Sequence, residues 1–251
     1  MDGNGRWARS RNLPRTSGHR EGAKSVRSVV EECCRLGVQY LSLYAFSLEN
    51  WKRPKHEVTF LMNLLQQFLV REEKALMKNN VVLQTIGRTN DLPEGVRRQL
   101  RKVVERTSGN TGLVAVLALN YGGRAEIVDA ARKIAAKVKA GELSPDEIDE
   151  HLFQQHLYTD SHGKPFPDPD LLIRTAGEMR LSNFLLWQSS YAEIWIANVC
   201  WPDFRAEHLR EAIADFGRRD RKFGGLKDHD VHHQSADRLV LGRAVPGGDA
   251  R

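Results

Sequence analysis

The chain has 251 residues, 41% of them hydrophobic, with 38 Lys+Arg against 32 Asp+Glu and a formal net charge of +6. That apolar fraction excludes a disordered or fibrous chain, and the length favours one α/β core. No stretch approaches the roughly 18 apolar residues of a spanning helix, and three cysteines (Cys33, Cys34, Cys200) make no disulfide framework, so a cytoplasmic location is expected. The start, Met1-Asp2-Gly3-Asn4, has neither the basic nor the apolar region of a signal peptide. The positive balance fits an anionic partner without choosing among nucleic acid, phosphorylated metabolites and acidic lipid.

Apolar or small residues at Ala23, Val26, Val29, Val30, Cys33 and Leu36 predict a helix over 20–37, ending at the glycine Gly37. The β-branched and aromatic run 38–46 predicts a strand buried on both faces. A long helix over 57–79 follows, with Val58, Leu61, Leu65, Phe68 and Leu69 on one side and Met62, Leu64 and Leu76 widening the stripe, so that it needs two things to bury against. Strand 81–86, helix 93–107, strand 113–119 and helix 125–138 continue the alternation. Ser144-Pro145-Asp146-Glu147 is a capping box predicted to start a helix reaching Leu157. Strands at 170–174 and 193–199 and a helix over 205–219 close the pattern. This alternation predicts a mostly parallel sheet flanked by helices, one domain over 1–226, and a polar, flexible tail over 227–251. Within that tail Asp228, His229, Asp230, His232 and His233 are metal-capable, but they follow the last helix. Cys33 and Cys34 are read as small buried apolar residues.

In a parallel sheet, ligands gather at the carboxyl ends of strands, which directs attention to the loops after 46, 119 and 174. Asp2-Gly3-Asn4-Gly5-Arg6-Trp7-Ala8, followed by Arg9, Arg11, Arg15, His19 and Arg20, places a carboxylate and two glycines among cations, a composition suited to a diphosphate. The same run fits the G-x-G-x-x-A spacing of dinucleotide folds, but a basic stretch with Pro14 stands where a helix should open. Ser47-Leu48-Glu49-Asn50-Trp51-Lys52-Arg53-Pro54 sets polar, aromatic and cationic groups directly after a strand; an ordinary turn into the next helix accounts for the same residues. Arg174 and Arg180, with Ser182 nearby, offer two guanidinium groups and a hydroxyl for a second anion, or simply surface ion pairs.

Together, residues 1–8, 18–23, 44–54, 120–124 and 174–188 resemble the motifs of the cis-prenyltransferases, in that family's order and over residues 1 to about 226. The resemblance implies a fold of about six mainly parallel strands, a homodimer, and Mg²⁺-dependent condensation of isopentenyl diphosphate onto an allylic diphosphate such as farnesyl diphosphate. The product implied is a long-chain polyprenyl diphosphate, the precursor of the lipid carrier for cell-wall synthesis, with peripheral membrane contact when it is released. By the same resemblance Asp2 would hold Mg²⁺ and Glu193 would join it. Gly3, Asn4, Gly5, Arg6, Arg15 and His19 would grip the allylic diphosphate, with Trp7 near its prenyl end. Arg174, Arg180, Leu181 and Ser182 would take the isopentenyl diphosphate. Asn50 matches the family's proton acceptor, with Ser47, Leu48, Glu49, Trp51 and Arg53 placing the homoallylic substrate. The small Ala45 favours a long product. Family members carry a strand ending at the aspartate, and here that strand would lie upstream of Met1; Met179 stands where some relatives carry histidine. Two rival readings remain: a basic nucleic-acid binder stacking bases on Trp7 or Trp51, and a non-catalytic subunit of a heteromeric prenyltransferase. The first leaves Asp2 and Glu193 unexplained, and the second sits poorly with the full set of motif residues. A trans-type enzyme is disfavoured because no Asp-Asp-x-x-Asp occurs.

Overall fold

Glycines open and close the first helical pair. Gly3, at φ +97°, turns the chain into helix α1 (Asn4–Arg9), a six-residue element that the apolar pattern does not reveal. Helix α2 (Arg15–Leu36) starts five residues before the predicted 20, because its first turn is polar and leaves no stripe, and it ends at Gly37 in the left-handed conformation. A Cβ on Gly18 would lie 2.0 Å from the Asn4 carbonyl oxygen, so the missing side chain is what lets α1 lie against α2.

Strand β1 (Tyr40–Ser47), helix α3 (Lys55–Lys78), strand β2 (Val82–Ile86), helix α4 (Glu94–Thr107), strand β3 (Val114–Tyr121) and helix α5 (Gly123–Lys139) follow. Next come a short helix α6 (Glu150–Gln154), strands β4 (Leu171–Arg174) and β5 (Glu193–Ile196), and helix α7 (Ala206–Gly217). The structure, a computed structural model, describes residues 1–160 and 166–220. The unit Met1–Phe216 holds every element except the last residue of α7. The tail predicted over 227–251, its histidines and the predicted domain boundary at 226 lie outside the described residues.

The α/β alternation and parallel pairing match the sequence expectation, but the strand count does not. Five strands form two parallel sheets among the described residues, ordered β1-β3-β2 and β4-β5, in place of one sheet of about six. β1 pairs with β3 and β4 with β5, and both β1 and β4 line one cavity, so among the described residues no strand pairing joins the two sheets. The same gap explains why β1 is not buried on both faces as predicted, whereas β3, flanked on both edges, is buried from Ala115 to Tyr121. Along β3 the side chains alternate. Ala115, Leu117 and Leu119 join the main core with Val29, Cys33 and Leu69, while Val116, Ala118 and Tyr121 pack with Phe166 and Leu185.

The helix predicted from 145 to 157 is broken. Ser144 does form the capping box, its N–H donating to Glu147 Oε2 at 2.6 Å, but it closes only the 3-10 turn Pro145–Glu147. Asp149 then caps a second start, accepting from Leu152 N–H at 2.7 Å, and α6 begins there. The last strand stops at Ile196, short of the predicted 199.

Candidate active site

A cavity of about 1310 Å³ runs between the two sheets and under α2 and α3. Its inner wall is apolar, lined by Leu41, Leu43 and Ala45 of β1 and by Leu61, Leu65 and Phe68 of α3. The breadth of the α3 stripe is thereby explained, since Leu69 and Leu76 sit in the core while Leu61, Leu65 and Phe68 look into the cavity. At its other end Asp2, Asn4, His19, Asn50, Arg53, Arg174 and Arg180 reach the lining, so the cavity is oily along its length and cationic at the carboxyl ends of β1 and β4.

Asp2 is fastened through its backbone. Its N–H donates to Thr175 Oγ1 at 2.9 Å, while its carbonyl accepts from Thr175 Oγ1 at 3.1 Å and from Trp201 N–H at 2.8 Å. The carboxylate, 44% exposed, lies 2.7 Å from Arg174 Nε, close enough for an ion pair although that N–H is not aimed along a hydrogen bond. Arg174 itself is buried, donating to Ser182 Oγ at 3.0 Å and to the Arg180 carbonyl. The loop after β4 turns tightly to allow this, with Ala176, Gly177, Ser182, Asn183 and Leu185 all at positive φ; four non-glycine residues in that region mark a backbone held by its surroundings. Asn183 docks the loop on the start of α5, accepting from Gly123 N–H through its carbonyl and from Arg124 N–H through Oδ1, both at 2.8 Å. Leu181 lines the cavity from the same loop.

Around α1, Gly3 must stay bare, because a Cβ would lie 2.8 Å from Cys200 Sγ and 3.0 Å from the Ala176 Cβ. Asn4 donates to the Met1 carbonyl at 3.1 Å and leaves its own Oδ1 buried with no hydrogen-bond partner among the described residues. Arg6 divides its guanidinium between the Ala176 carbonyl (3.1 Å) and Glu178 Oε1 (2.6 Å). Gly5 leaves room for the Arg15 guanidinium, which a Cβ would approach to 3.2 Å. Trp7 does not line the cavity. Its indole N–H donates to Asp203 at 2.7 Å, and Arg11 stacks 4.4 Å above the ring.

The third motif forms the 3-10 turn Leu48–Lys52. Asn50 accepts the Ser47 N–H at 3.2 Å, so its carbonyl oxygen is already engaged in the local fold. Glu49 accepts from Asn183 Nδ2 at 2.8 Å. Burial raises the Glu49 pKa, but hydrogen bonds from Asn183, its own backbone and Ser47, with Lys52 nearby, outweigh burial and hold the carboxyl below its usual range. Trp51 donates to Asn120 Oδ1 at 2.6 Å and stands edge-on to Phe46, and Leu48 packs on Gly122. The turn and the loop after β4 are therefore tied to one another and to the 120–124 motif.

A buried carboxylate that the sequence reading did not single out, Glu57, organises the remaining cations. Arg53, Arg15 and His19 lie 3.1, 3.5 and 3.6 Å from its Oε1. Burial, then Arg53, lower the His19 pKa, while Glu57 works against them, so the ring is neutral near pH 7. Glu178 was also missed; its Oε2 lies 2.5 Å from Arg180 Nη1. Its other oxygen meets Arg6, 172 residues away in sequence, which no local pattern discloses.

Glu193 opens β5 opposite Leu171, whereas Arg174, beside Asp2, pairs with Ile196. Three residues of strand, about 10 Å, thus separate the backbone level of Glu193 from that of Ile196 beside Arg174. No group of three metal-capable side chains occurs among the described residues.

The comparisons with known proteins agree with this geometry. A profile of the family described as putative undecaprenyl diphosphate synthase matches residues 1–224. An isoprenyl transferase of Clostridium perfringens is 53% identical over 227 residues, covering 90% of this chain and 88% of the relative. One from Geobacillus kaustophilus is 54% identical over 226 residues, covering 90% and 86%. Among solved structures, lavandulyl diphosphate synthase from Lavandula x intermedia, in complex with dimethylallyl diphosphate, superposes with a TM-score of 0.87 at 40% identity over 90% of this chain and 95% of that one. A probable undecaprenyl diphosphate synthase from Campylobacter jejuni gives 0.72 at 37% identity, covering 82% and 92%. With a cavity that joins an oily wall to a cationic mouth, and with relatives of this identity along nearly its whole described length, the chain belongs to the undecaprenyl diphosphate synthase family of prenyltransferases.

Proposed function

We propose that this protein joins isopentenyl diphosphate to an allylic diphosphate, farnesyl diphosphate being the favoured starter, and repeats the step to build a long polyprenyl diphosphate with new cis double bonds. The observation that carries the reading is one continuous cavity with a diphosphate-sized cluster of cations at one end and an apolar wall behind it. In each round the allylic C1–O bond breaks, the terminal alkene carbon of isopentenyl diphosphate bonds to C1, a proton leaves, and diphosphate is released. Arg6, Arg15, His19 and the α1 backbone would hold the allylic diphosphate, and Arg174, Arg180 and Ser182 the homoallylic one, so that donors converge where charge develops on the leaving group. Trp7, locked by Asp203, would shape the rim and not the prenyl pocket. Asn50 is a poor base near neutral pH and its carbonyl already accepts from Ser47, so its part is to orient the turn, and the proton passes to the departing diphosphate.

The donor set fits Mg²⁺, which binds one or two carboxylates and completes its shell with substrate phosphates and water. Asp2, half exposed beside Arg174, would hold it, and Glu193, at the start of β5, would join it when both substrates are bound. When bound, the ion would neutralise the leaving diphosphate. In the sheet, a sixth parallel strand would fit between β1 and β4, supported by two strands that face one cavity without pairing across it. The reading further includes a homodimer and product hand-over at a membrane surface. It is tested by incubating the protein with labelled isopentenyl diphosphate, farnesyl diphosphate and Mg²⁺. Label should move into a long butanol-extractable product, and Asp2→Ala should lower the rate by about 100-fold or more; a wild type that leaves both substrates unchanged would refute the reading.

A further inference from the structure

The arginines assigned to the diphosphates are already matched by carboxylates: Arg174 by Asp2, and Arg15, with its neighbour Arg53, by Glu57. Glu178 differs in reaching one cation from each substrate site. One carboxylate oxygen is 2.6 Å from Arg6, assigned to the allylic diphosphate, and the other is 2.5 Å from Arg180, assigned to the homoallylic diphosphate. The backbone is shaped for this. Ala176 and Gly177 are consecutive left-handed residues that carry Glu178 across to α1, and Arg6 also donates to the Ala176 carbonyl at 3.1 Å. Arg6 therefore keeps a tether when Glu178 lets go.

We propose that Glu178 is a positioning residue that couples the two substrate sites: it bridges Arg6 and Arg180 when the site is empty, and the first diphosphate to arrive displaces it from both. The inference rests on the prenyl-transfer reading above. A diphosphate at Arg6 supplies more negative charge than the carboxylate and repels it, so Glu178 swings out as a unit and leaves Arg180 unpartnered. The second diphosphate then binds without having to break the Glu178 ion pair. The displacement is met once, by whichever substrate comes first, and each substrate raises the affinity of the other by the same factor. Because Arg6 and Arg180 side chains are 54% and 67% exposed, solvent screens both pairs, and the expected coupling is modest, about two- to fivefold.

The test is calorimetric titration in the presence of Mg²⁺ with farnesyl thiodiphosphate, an unreactive allylic analogue, with and without isopentenyl diphosphate, and the reverse titration. In the wild type each ligand should tighten the other about two- to fivefold. Glu178→Gln should bind each ligand alone more tightly by about that factor and show no coupling. Glu178→Asp, which keeps the charge but is too short to span both guanidinium groups, should also lose the coupling. Coupling that survives in either variant would overturn the proposal. So would Glu178→Gln binding both ligands more weakly with a lowered melting temperature, because that is the mark of a merely structural ion pair. Wild-type protein that binds both ligands without coupling would overturn this proposal alone; wild-type protein that binds neither would overturn it together with the reading on which it rests.

Discussion

Arg174 concentrates several requirements in one side chain. It is buried, it touches Asp2 and Ser182, and it fixes the loop through the Arg180 carbonyl, so its planar fork cannot be replaced by a point charge. Arg174→Lys should raise KM for isopentenyl diphosphate by about 10- to 100-fold, the range expected for losing a charge-assisted hydrogen bond, as steady-state kinetics at fixed allylic substrate would report. Gly3→Ala tests a different constraint at the same mouth. It introduces a Cβ 2.8 Å from Cys200 Sγ at φ +97°, and should destabilise the fold by about 1–3 kcal/mol while displacing α1; thermal melting beside activity would separate the two effects. At this scale the sequence singled out Asp2, Arg174 and Ser182, which the fold brings into contact. It was not legible for Glu57 and Glu178, whose roles depend on which cations the fold brings to them. Nor did it foresee the lock on Trp7, whose partner Asp203 is 196 residues away in sequence.

At the scale of elements, α2 and α7 are joined by Glu32, which accepts from Arg35 at 2.6 Å and from Arg210 at 2.9 Å. Those two arginines hold the Glu32 pKa down at about 2. A depressed carboxyl contributes stability that is fully present above its unfolded pKa and fades as pH falls through the folded value. Wild type should therefore melt above Glu32→Gln at neutral pH, with the gap closing between about 4.5 and about 2; a gap that persists below that window would mean the link is packing and not charge. Ala45 of β1 lines the cavity together with Leu61, Leu65 and Phe68 of α3. Ala45→Phe should shorten the product without lowering the rate of the first condensation, read by chromatography of the dephosphorylated prenols. Periodicity disclosed α2 to α5 and β1 to β3, because long stripes and β-branched runs carry their own signal. It missed α1, which a glycine turn and helix contacts sustain, and it merged the two short turns near 145–154, each started by its own cap.

For the molecule as a whole, alternation in the sequence disclosed the parallel α/β class, but not the division into two sheets, because pairing between distant strands leaves no local trace. The apolar part of the cavity, lined by β1 and α3, is where the chain would grow. Each added five-carbon unit buries apolar surface worth up to a few kcal/mol at about 0.8 kcal/mol per CH₂, so a long product should leave slowly. Non-denaturing detergent should raise steady-state turnover by several-fold while leaving a single-turnover condensation unchanged; an equal effect on both would place the slow step elsewhere. The central claim, that two diphosphates sit among Asp2, Arg6, Arg15, Arg174 and Arg180 with the hydrocarbon in the apolar cavity, is tested most directly by a crystal structure with farnesyl thiodiphosphate and isopentenyl diphosphate. The account predicts phosphorus density against α1 and against the loop after β4, with the farnesyl chain between β1 and α3; phosphorus density away from these arginines, or a prenyl chain outside the cavity, would contradict it.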